Sequence, residues 1–185
     1  MKIRYAAIFL ALPLLCTTAQ ANSFLHYAGE FNFRTGEKQN NVTIAGLSAI
    51  TFDAKKNIFY AINDSRNNNK EGDASLYTLK IQVSSRGIEQ VNFLNQRPLL
   101  DAKQQPFVTN TVDAEGLALT HNGKSLLWSS ELGAPLRLST LDGVMEKDFT
   151  SLFPARFNIS SDKESSNGIR SGNAWEGLTV TPDGK

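Results

Sequence analysis

Five acidic residues lie at the ends of predicted β-strands, in positions from which their carboxylates can meet. Carboxylates that converge on one point repel one another, and a hard cation such as Ca²⁺ relieves this repulsion because it prefers oxygen ligands. A cation held there would bind a phosphate group and orient a water for attack at phosphorus. The expected metal ligands are Asp64, Asp113, Glu115, Glu131 and Glu176.

Two arginines lie near these acids in the sequence, at positions 66 and 170. A guanidinium fork matches the oxygens of a phosphate group, so we expect Arg66 and Arg170 to bind substrate. Among the acids, Glu115, Glu176 and Asp64 are the expected catalytic residues. A structural role is the alternative, because a glutamate at the corner of a repeat can accept backbone N–H bonds and hold neighbouring repeats together.

The elements that must position these residues form a repeat. Residues 46–64 and 115–131 each contain two segments of alternating apolar residues around a polar turn, a pattern typical of a β-hairpin. A third copy, "EGLTVTPDGK", repeats the opening and ends at Asp183-Gly184, a strong turn signal. The dipeptide Gly-Leu begins at positions 46, 116 and 177, which are 70 and 61 residues apart.

Each complete hairpin is followed by a further strand candidate, at residues 75–81 and 135–143. The pattern therefore predicts an all-β fold of antiparallel sheets with about four strands each, and favours a β-propeller over a β-sandwich with similar hairpins. A propeller closes with about four to eight blades. Because the chain holds about two blades and the start of a third, we expect a partial propeller that pairs with further blades or with a second copy.

The first residues are typical of a secretory signal peptide. Lys2 and Arg4 precede an apolar run at residues 6–15, and Ala19-Gln20-Ala21 provides the small residues of a cleavage site. We therefore predict a signal peptide over residues 1–21 and a domain over residues 22–185, the N-terminal part of a propeller that is periplasmic or secreted. A membrane anchor and a lipoprotein at Cys16 are the alternatives.

Composition excludes several classes of function. The chain has 19 basic and 18 acidic residues, and removal of residues 1–21 would change its formal charge from +1 to −1, so no nucleic-acid partner is expected. Nor is stable membrane insertion expected after cleavage. The single cysteine lies in the predicted signal peptide, and the two histidines, His26 and His121, do not provide for a zinc site or a Ser-His-acid triad.

The runs "YAINDSR", "LYTLKI", "LLWSSELG" and "TPDGK", together with Glu115-Gly116-Leu117 and Asn173-Ala174-Trp175-Glu176-Gly177-Leu178, resemble the exported phytase-like domain family, whose label is "esterase-like activity of phytase". The resemblance covers residues 46–185. It implies a β-propeller that acts on a small phosphoester.

One departure from the family changes the expected substrate contacts. Where relatives show an Asn-Arg-Gly-Phe-Glu-like run, this chain has Asn173-Ala174-Trp175-Glu176, which keeps the asparagine and lacks the arginine. The resemblance thus assigns Asn173 to substrate binding, with Arg170 as the substitute for the missing arginine. Two other functions stay open: a non-catalytic periplasmic propeller that binds a ligand or protein, and a Ca²⁺-dependent lactonase-type propeller.

Overall fold

The structure is a computed structural model that describes residues 27–34, 36–39, 42–44, 46–70, 72–157, 159–160, 169–170, 173–181 and 183. The predicted signal peptide, the last turn residue Gly184 and His26 lie outside the described residues. Across the described ranges no helix is long and apolar enough to cross a membrane.

Most of the described chain forms two antiparallel sheets of four strands each. The first sheet, here called blade 1, has the order β3-β4-β5-β6, and the second, blade 2, has the order β10-β9-β8-β7. The strands of blade 1 are β3 (Leu47–Asp53), β4 (Ile58–Asn63), β5 (Ser75–Ser84) and β6 (Gly87–Pro98), and those of blade 2 are β7 (Ala114–Leu119), β8 (Ser125–Ser130), β9 (Leu136–Thr140) and β10 (Met145–Asp148).

Smaller elements flank the blades. They are the strands β1 (Lys38–Gln39), β2 (Val42–Thr43), β11 (Ile159–Ser160) and β12 (Ile169–Arg170), and two 3-10 turns at Thr150–Leu152 and Ala155–Phe157. The described residues contain no α-helix. The expected all-β fold, a partial β-propeller with four-stranded blades, is confirmed.

The main hydrophobic core lies between the two blades. Successive residues of a strand point to opposite faces, so Tyr60 and Ile62 of β4 point together toward Leu117 and Trp128 of blade 2. Trp128 is 1% exposed and Tyr60 3%, so both aromatic side chains pack between the blades. This packing holds the inner strands β3 and β7 side by side.

A second core covers the opposite face of blade 1. Phe93 and Tyr77 of this face contact each other edge to face, with ring centroids 5.7 Å apart. Phe33 and Ile44, from the segment before blade 1, pack against them. Blade 1 is therefore covered on both faces, by blade 2 on one side and by the N-terminal segment on the other.

The register of the two blades corrects the repeat read from the sequence. Leu47 pairs with Asn63, and Ala114 pairs with Ser130, so the blades are related by an offset of 67 residues rather than 70. Both inner strands contain a bulge directly after this first pair. Gly46 therefore corresponds to Asp113, and its expected equivalence with Gly116 was wrong.

The third copy of the repeat was expected to open with a β-strand, but within the described residues it pairs with no other strand. Residues 174–181 belong to no strand. They nevertheless lie beside β7, because a Cβ atom placed on Gly116 would be 2.7 Å from the carbonyl oxygen of Glu176 and 2.8 Å from Leu178 Cβ. The predicted opening strand is thus an extended segment that packs on the inner strand of blade 2.

Candidate metal centre

Three carboxylates of blade 2 meet at one end of the inner strands. Asp113 precedes β7, Glu115 lies within it, and Glu131 follows β8, whose end pairs with the start of β7. The Glu131 N–H donates to the Asp113 carbonyl at 2.9 Å. One carboxylate oxygen from each residue lies within 4.8 Å of the other two. The paired strand ends thus bring together three of the five acids predicted as ligands.

Arg66 reaches this cluster from blade 1. Its Nε and Nη2 atoms donate to Oδ2 of Asp113 at 2.9 and 2.6 Å. The Asn110 N–H donates to the Arg66 carbonyl at 2.8 Å, which ties the loop that carries Arg66 to the segment before β7. The ion pair therefore links the blades, and it places a guanidinium beside the carboxylates.

Among the described residues, the second oxygen of Asp113 has no hydrogen-bond partner. Asp113 is 1% exposed, and its Oδ1 atom is buried without a hydrogen bond. Burial raises the pKa of Asp113, while the bonds from Arg66 act in the opposite direction. A buried acceptor without a partner costs about 1–3 kcal/mol, so such an atom requires an explanation. A bound cation would supply the missing partner.

Glu115 experiences the strongest electrostatic perturbation of the site. Burial, together with the negative charges of Asp113, Glu176, Glu131 and Asp64, raises its pKa to about 7. Across the described ranges, its carboxylate forms no hydrogen bond or ion pair. The cluster is therefore short of positive charge, which is the condition that a cation relieves.

These residues fit a single Ca²⁺ ion. Calcium takes carboxylate oxygens at 2.3–2.6 Å, so oxygens on one ion are at most about 5 Å apart. The spacing of the three carboxylates satisfies this limit.

Asp64 and Glu176 lie beside the three-carboxylate set rather than within it. Both are exposed, and their charges contribute to the raised pKa of Glu115. The segment that carries Glu176 is tied to the cluster, because the Ala174 N–H donates to Oε1 of Glu131 at 3.1 Å. Glu131 thus also has the structural role that was the alternative for these acids.

Arg170 and Asn173 are exposed and adjacent in space, since the Asn173 N–H donates to the Arg170 carbonyl at 3.1 Å. Within the described part of the chain, neither side chain forms a hydrogen bond or ion pair with the three carboxylates. The structure brings Arg66 to the cluster and leaves these two residues at its periphery.

Two further residues lie near the site: the sequence predicted no role for Asn67, and core packing for Trp175. Asn67 has a φ of 53°, and its side chain donates to the Phe107 carbonyl at 2.9 Å and accepts from the Ala74 N–H at 2.7 Å. Asparagine tolerates this left-handed backbone, so the asparagines of the run "SRNNNK" indicate a turn in the loop that carries Arg66. The second residue is Trp175, whose Nε1 atom is buried without a partner.

The fold and the site define a partial β-propeller with an acidic, metal-compatible centre on one blade. The family described as "Phytase-like: Esterase-like activity of phytase" matches residues 42–185, and the chain belongs to this family. The match covers both blades and every acid discussed above. A comparison with curated proteins gave no match. Family membership confirms the resemblance and suggests a phosphoesterase-like function.

Proposed function

We propose that this protein is a Ca²⁺-dependent phosphoester hydrolase whose metal ligands are Asp113, Glu115 and Glu131. The observation that carries the proposal is the buried, unpartnered Oδ1 of Asp113 within a set of three carboxylates, in a chain of the phytase-like family. Three carboxylates and one guanidinium leave an excess of two negative charges, which one divalent cation balances.

Each residue has a role in this proposal. When bound, Ca²⁺ would neutralise phosphate charge and lower the pKa of a bound water. The guanidinium of Arg66, 40% exposed beside Asp113, would contact the phosphate oxygens. Glu176 and Asp64, outside the ligand set, would accept the proton of the attacking water. Arg170 and Asn173, at the periphery of the cluster, would contribute further contacts to the phosphate group.

We also propose that the protein is exported through cleavage of residues 1–21, so that the enzyme meets its substrate in the periplasm or outside the cell. The proposed calcium ligands are all carboxylate oxygens, and the domain after residue 21 contains no cysteine. Neither the site nor the fold therefore depends on a thiol, which an oxidising compartment would oxidise. Blades beyond those described would complete the propeller, either from further chain or from a second copy.

Phosphate release with calcium or with a chelator tests the proposal. We expect turnover with calcium, none with chelator, and a loss of about 10²-fold or more in kcat for Glu131→Gln, on the scale of removing one group that stabilises transition-state charge. Glu146→Gln provides the matched control, since Glu146 is an exposed acid on β10. It should retain wild-type activity and calcium dependence.

Three results would contradict the proposal. Turnover that persists in chelator would exclude the metal. A folded protein that cleaves no phosphoester with calcium present would exclude the hydrolase and favour a binding propeller. Consumption of lactones without phosphate release would favour the lactonase alternative.

A further inference from the structure

The charges around the metal centre limit how many phosphate groups a substrate can carry. Four acids lie close enough to Glu115 for their negative charges to raise its pKa: Asp113, Glu176, Glu131 and Asp64. Across the described ranges, Arg66 is the one basic residue that forms an ion pair with this set, and it is already bonded to Asp113. One divalent cation together with Arg66 would balance the negative charges of the three ligands. The charges of the exposed Asp64 and Glu176 would then remain in excess.

A cleft lies along the inner strands, and its lining begins two residues after Glu115 in β7 and two residues after Glu176 in the third copy. It has a volume of about 290 Å³ and is formed by residues 50–52 of β3, 117–119 of β7 and 178–180 of the third copy. Strand residues rise about 3.3 Å each, so the cleft begins about 7 Å along β7 from Glu115. The group bonded to a phosphate at the metal centre would therefore extend into it.

The cleft offers hydrogen bonds but no charge. None of its lining residues is acidic or basic. The strands β3 and β7 are the edges of their sheets, so each has one edge without a paired strand. One N–H of this edge, that of Leu119, donates to Thr51 Oγ1 at 3.3 Å. Seven of the nine lining residues are apolar and two are threonines. Apolar side chains, backbone groups and threonine hydroxyls together suit an uncharged molecule with a carbon skeleton and hydroxyl groups.

We infer that the substrate is an ester with a single phosphoryl group on an uncharged hydroxylated alcohol, and not a polyphosphorylated compound. The inference rests on the proposed function. In the reaction, water forms a bond to phosphorus and the bond from phosphorus to the ester oxygen breaks. The products are inorganic phosphate and the alcohol, which takes up a proton. Additional phosphate groups would lie beside Asp64 and Glu176, where like charges repel.

The test compares two esters of the same ring, inositol monophosphate and inositol hexakisphosphate. Free calcium is buffered to the same concentration in both assays, because the hexakisphosphate binds calcium itself. We expect kcat/KM for the monophosphate to exceed that for the hexakisphosphate by at least about tenfold, from the like-charge contact alone. An equal or higher value for the hexakisphosphate would overturn the inference while leaving the hydrolase intact. Absence of turnover on both esters would refute the hydrolase and, with it, the inference.

A charge placed in the cleft provides a second test. Thr179 is exposed and lines the cleft. Thr179→Lys should raise the ratio of kcat/KM for the hexakisphosphate over the monophosphate by several-fold, an effect that decreases with ionic strength. Thr179→Gln adds length without charge and should leave this ratio at the wild-type value. A lysine that does not change the ratio would show that charge in the cleft does not select the substrate.

Discussion

The two blades share one hydrogen-bonded frame, and only one of them has the chemistry of a metal centre. In blade 1 the Asp64 N–H donates to the Gly46 carbonyl at 2.9 Å, and in blade 2 the Glu131 N–H donates to the Asp113 carbonyl at the same distance. The frame therefore does not create the site. The site arises from the side chains at three equivalent positions, which are Gly46, Ser48 and Asp64 in blade 1 and Asp113, Glu115 and Glu131 in blade 2.

Blade 1 also has a conformational reason for lacking the acid cluster. Gly46 has a φ of +53°, and a Cβ atom there would collide with Oδ1 of Asp64. An aspartate at this position would therefore not fit beside Asp64. Blade 1 contributes Arg66 to the site of blade 2 instead.

The largest expected difference between the blades is in calcium binding. With calcium at a hundredfold excess over its dissociation constant, the wild-type protein should gain about 2.7 kcal/mol in its free energy of unfolding. Asp113→Asn should abolish this gain because it removes a ligand from the set. Asp64→Asn, at the frame acid of blade 1, should retain most of it. Thermal unfolding with calcium and with chelator measures the gain.

Asp113→Asn also removes the ion pair with Arg66, which changes stability by itself. Because the calcium gain is the difference between calcium and chelator in the same variant, this change cancels. A calcium-dependent gain in Asp113→Asn equal to that of the wild-type protein would show that the ion binds elsewhere.

A smaller difference should appear at the bulge of the inner strands, where Ala49 in blade 1 corresponds to Gly116 in blade 2. A Cβ atom on Gly116 would lie 2.5 Å from Ser129 Oγ and 2.7 Å from the Glu176 carbonyl oxygen. Gly116→Ala should therefore lower the free energy of unfolding by about 1–3 kcal/mol, the usual cost of overpacking. Denaturant unfolding in chelator measures this change.

Gly177→Ala is the matched control, because no heavy atom lies within 4 Å of the Cβ position there. It should change stability by less than about 1 kcal/mol. Equal stability of the two variants would mean that the third copy does not pack on β7.

The sequence predicted the hairpins β3–β4 and β7–β8 and the next strands β5 and β9, but not the position of the outer strands β6 and β10 or the spatial grouping of the acids. Alternating apolar residues predicted β3, β4, β7 and β8, since that pattern follows from burial of one face. The repeat was misaligned by three residues because Gly-Leu recurs for different reasons: Gly46 adopts a left-handed backbone, whereas Gly116 makes room for Leu178.

Sequence spacing also could not show which of the acids meet in space. Sequence spacing could not separate Asp113, Glu115 and Glu131 from Asp64 and Glu176, because all five lie near strand ends. Only the pairing of the start of β7 with the end of β8 joins the three. The contact of Arg66 with Asp113 spans 47 residues and depends on the packing of one blade on the other.

Glu115, which corresponds to Ser48 in blade 1, should make stability depend on pH in the absence of metal. Its pKa is raised from 4.5 to about 7 in the folded state, so folding favours the protonated form. This contribution is fully present below pH 4.5 and is lost as pH rises through 7. In chelator, the Tm of the wild-type protein should therefore fall from pH 5 to pH 8 by more than that of Glu115→Gln.

Thermal unfolding across this pH range measures the effect. For each protein the Tm at pH 8 is compared with its own Tm at pH 5, so a constant difference in stability between the two proteins does not matter. Parallel pH profiles for the two proteins would show that Glu115 is ionised in the folded state at pH 5.

The smallest expected effect is that of replacing Trp175, in contrast with Trp128. The Nε1 of Trp128, in the core between the blades, donates to Ser139 Oγ at 2.8 Å, whereas that of Trp175 is buried without a partner. Trp128→Phe should cost about 2–3 kcal/mol, because it removes buried volume and leaves the Ser139 hydroxyl without its donor. Trp175→Phe removes a donor that has no bond to lose, and its ring contact with Phe153, at 5.3 Å, can persist.

Trp175→Phe should therefore change the free energy of unfolding by less than about 0.5 kcal/mol, the range of substitutions that break no specific interaction. Denaturant unfolding of both variants in chelator measures the difference. If Trp175→Phe is as costly as Trp128→Phe, the Trp175 N–H has a partner in solution. A water held beside Glu131 would then be the first group to consider, because the neighbouring Ala174 N–H already binds that carboxylate.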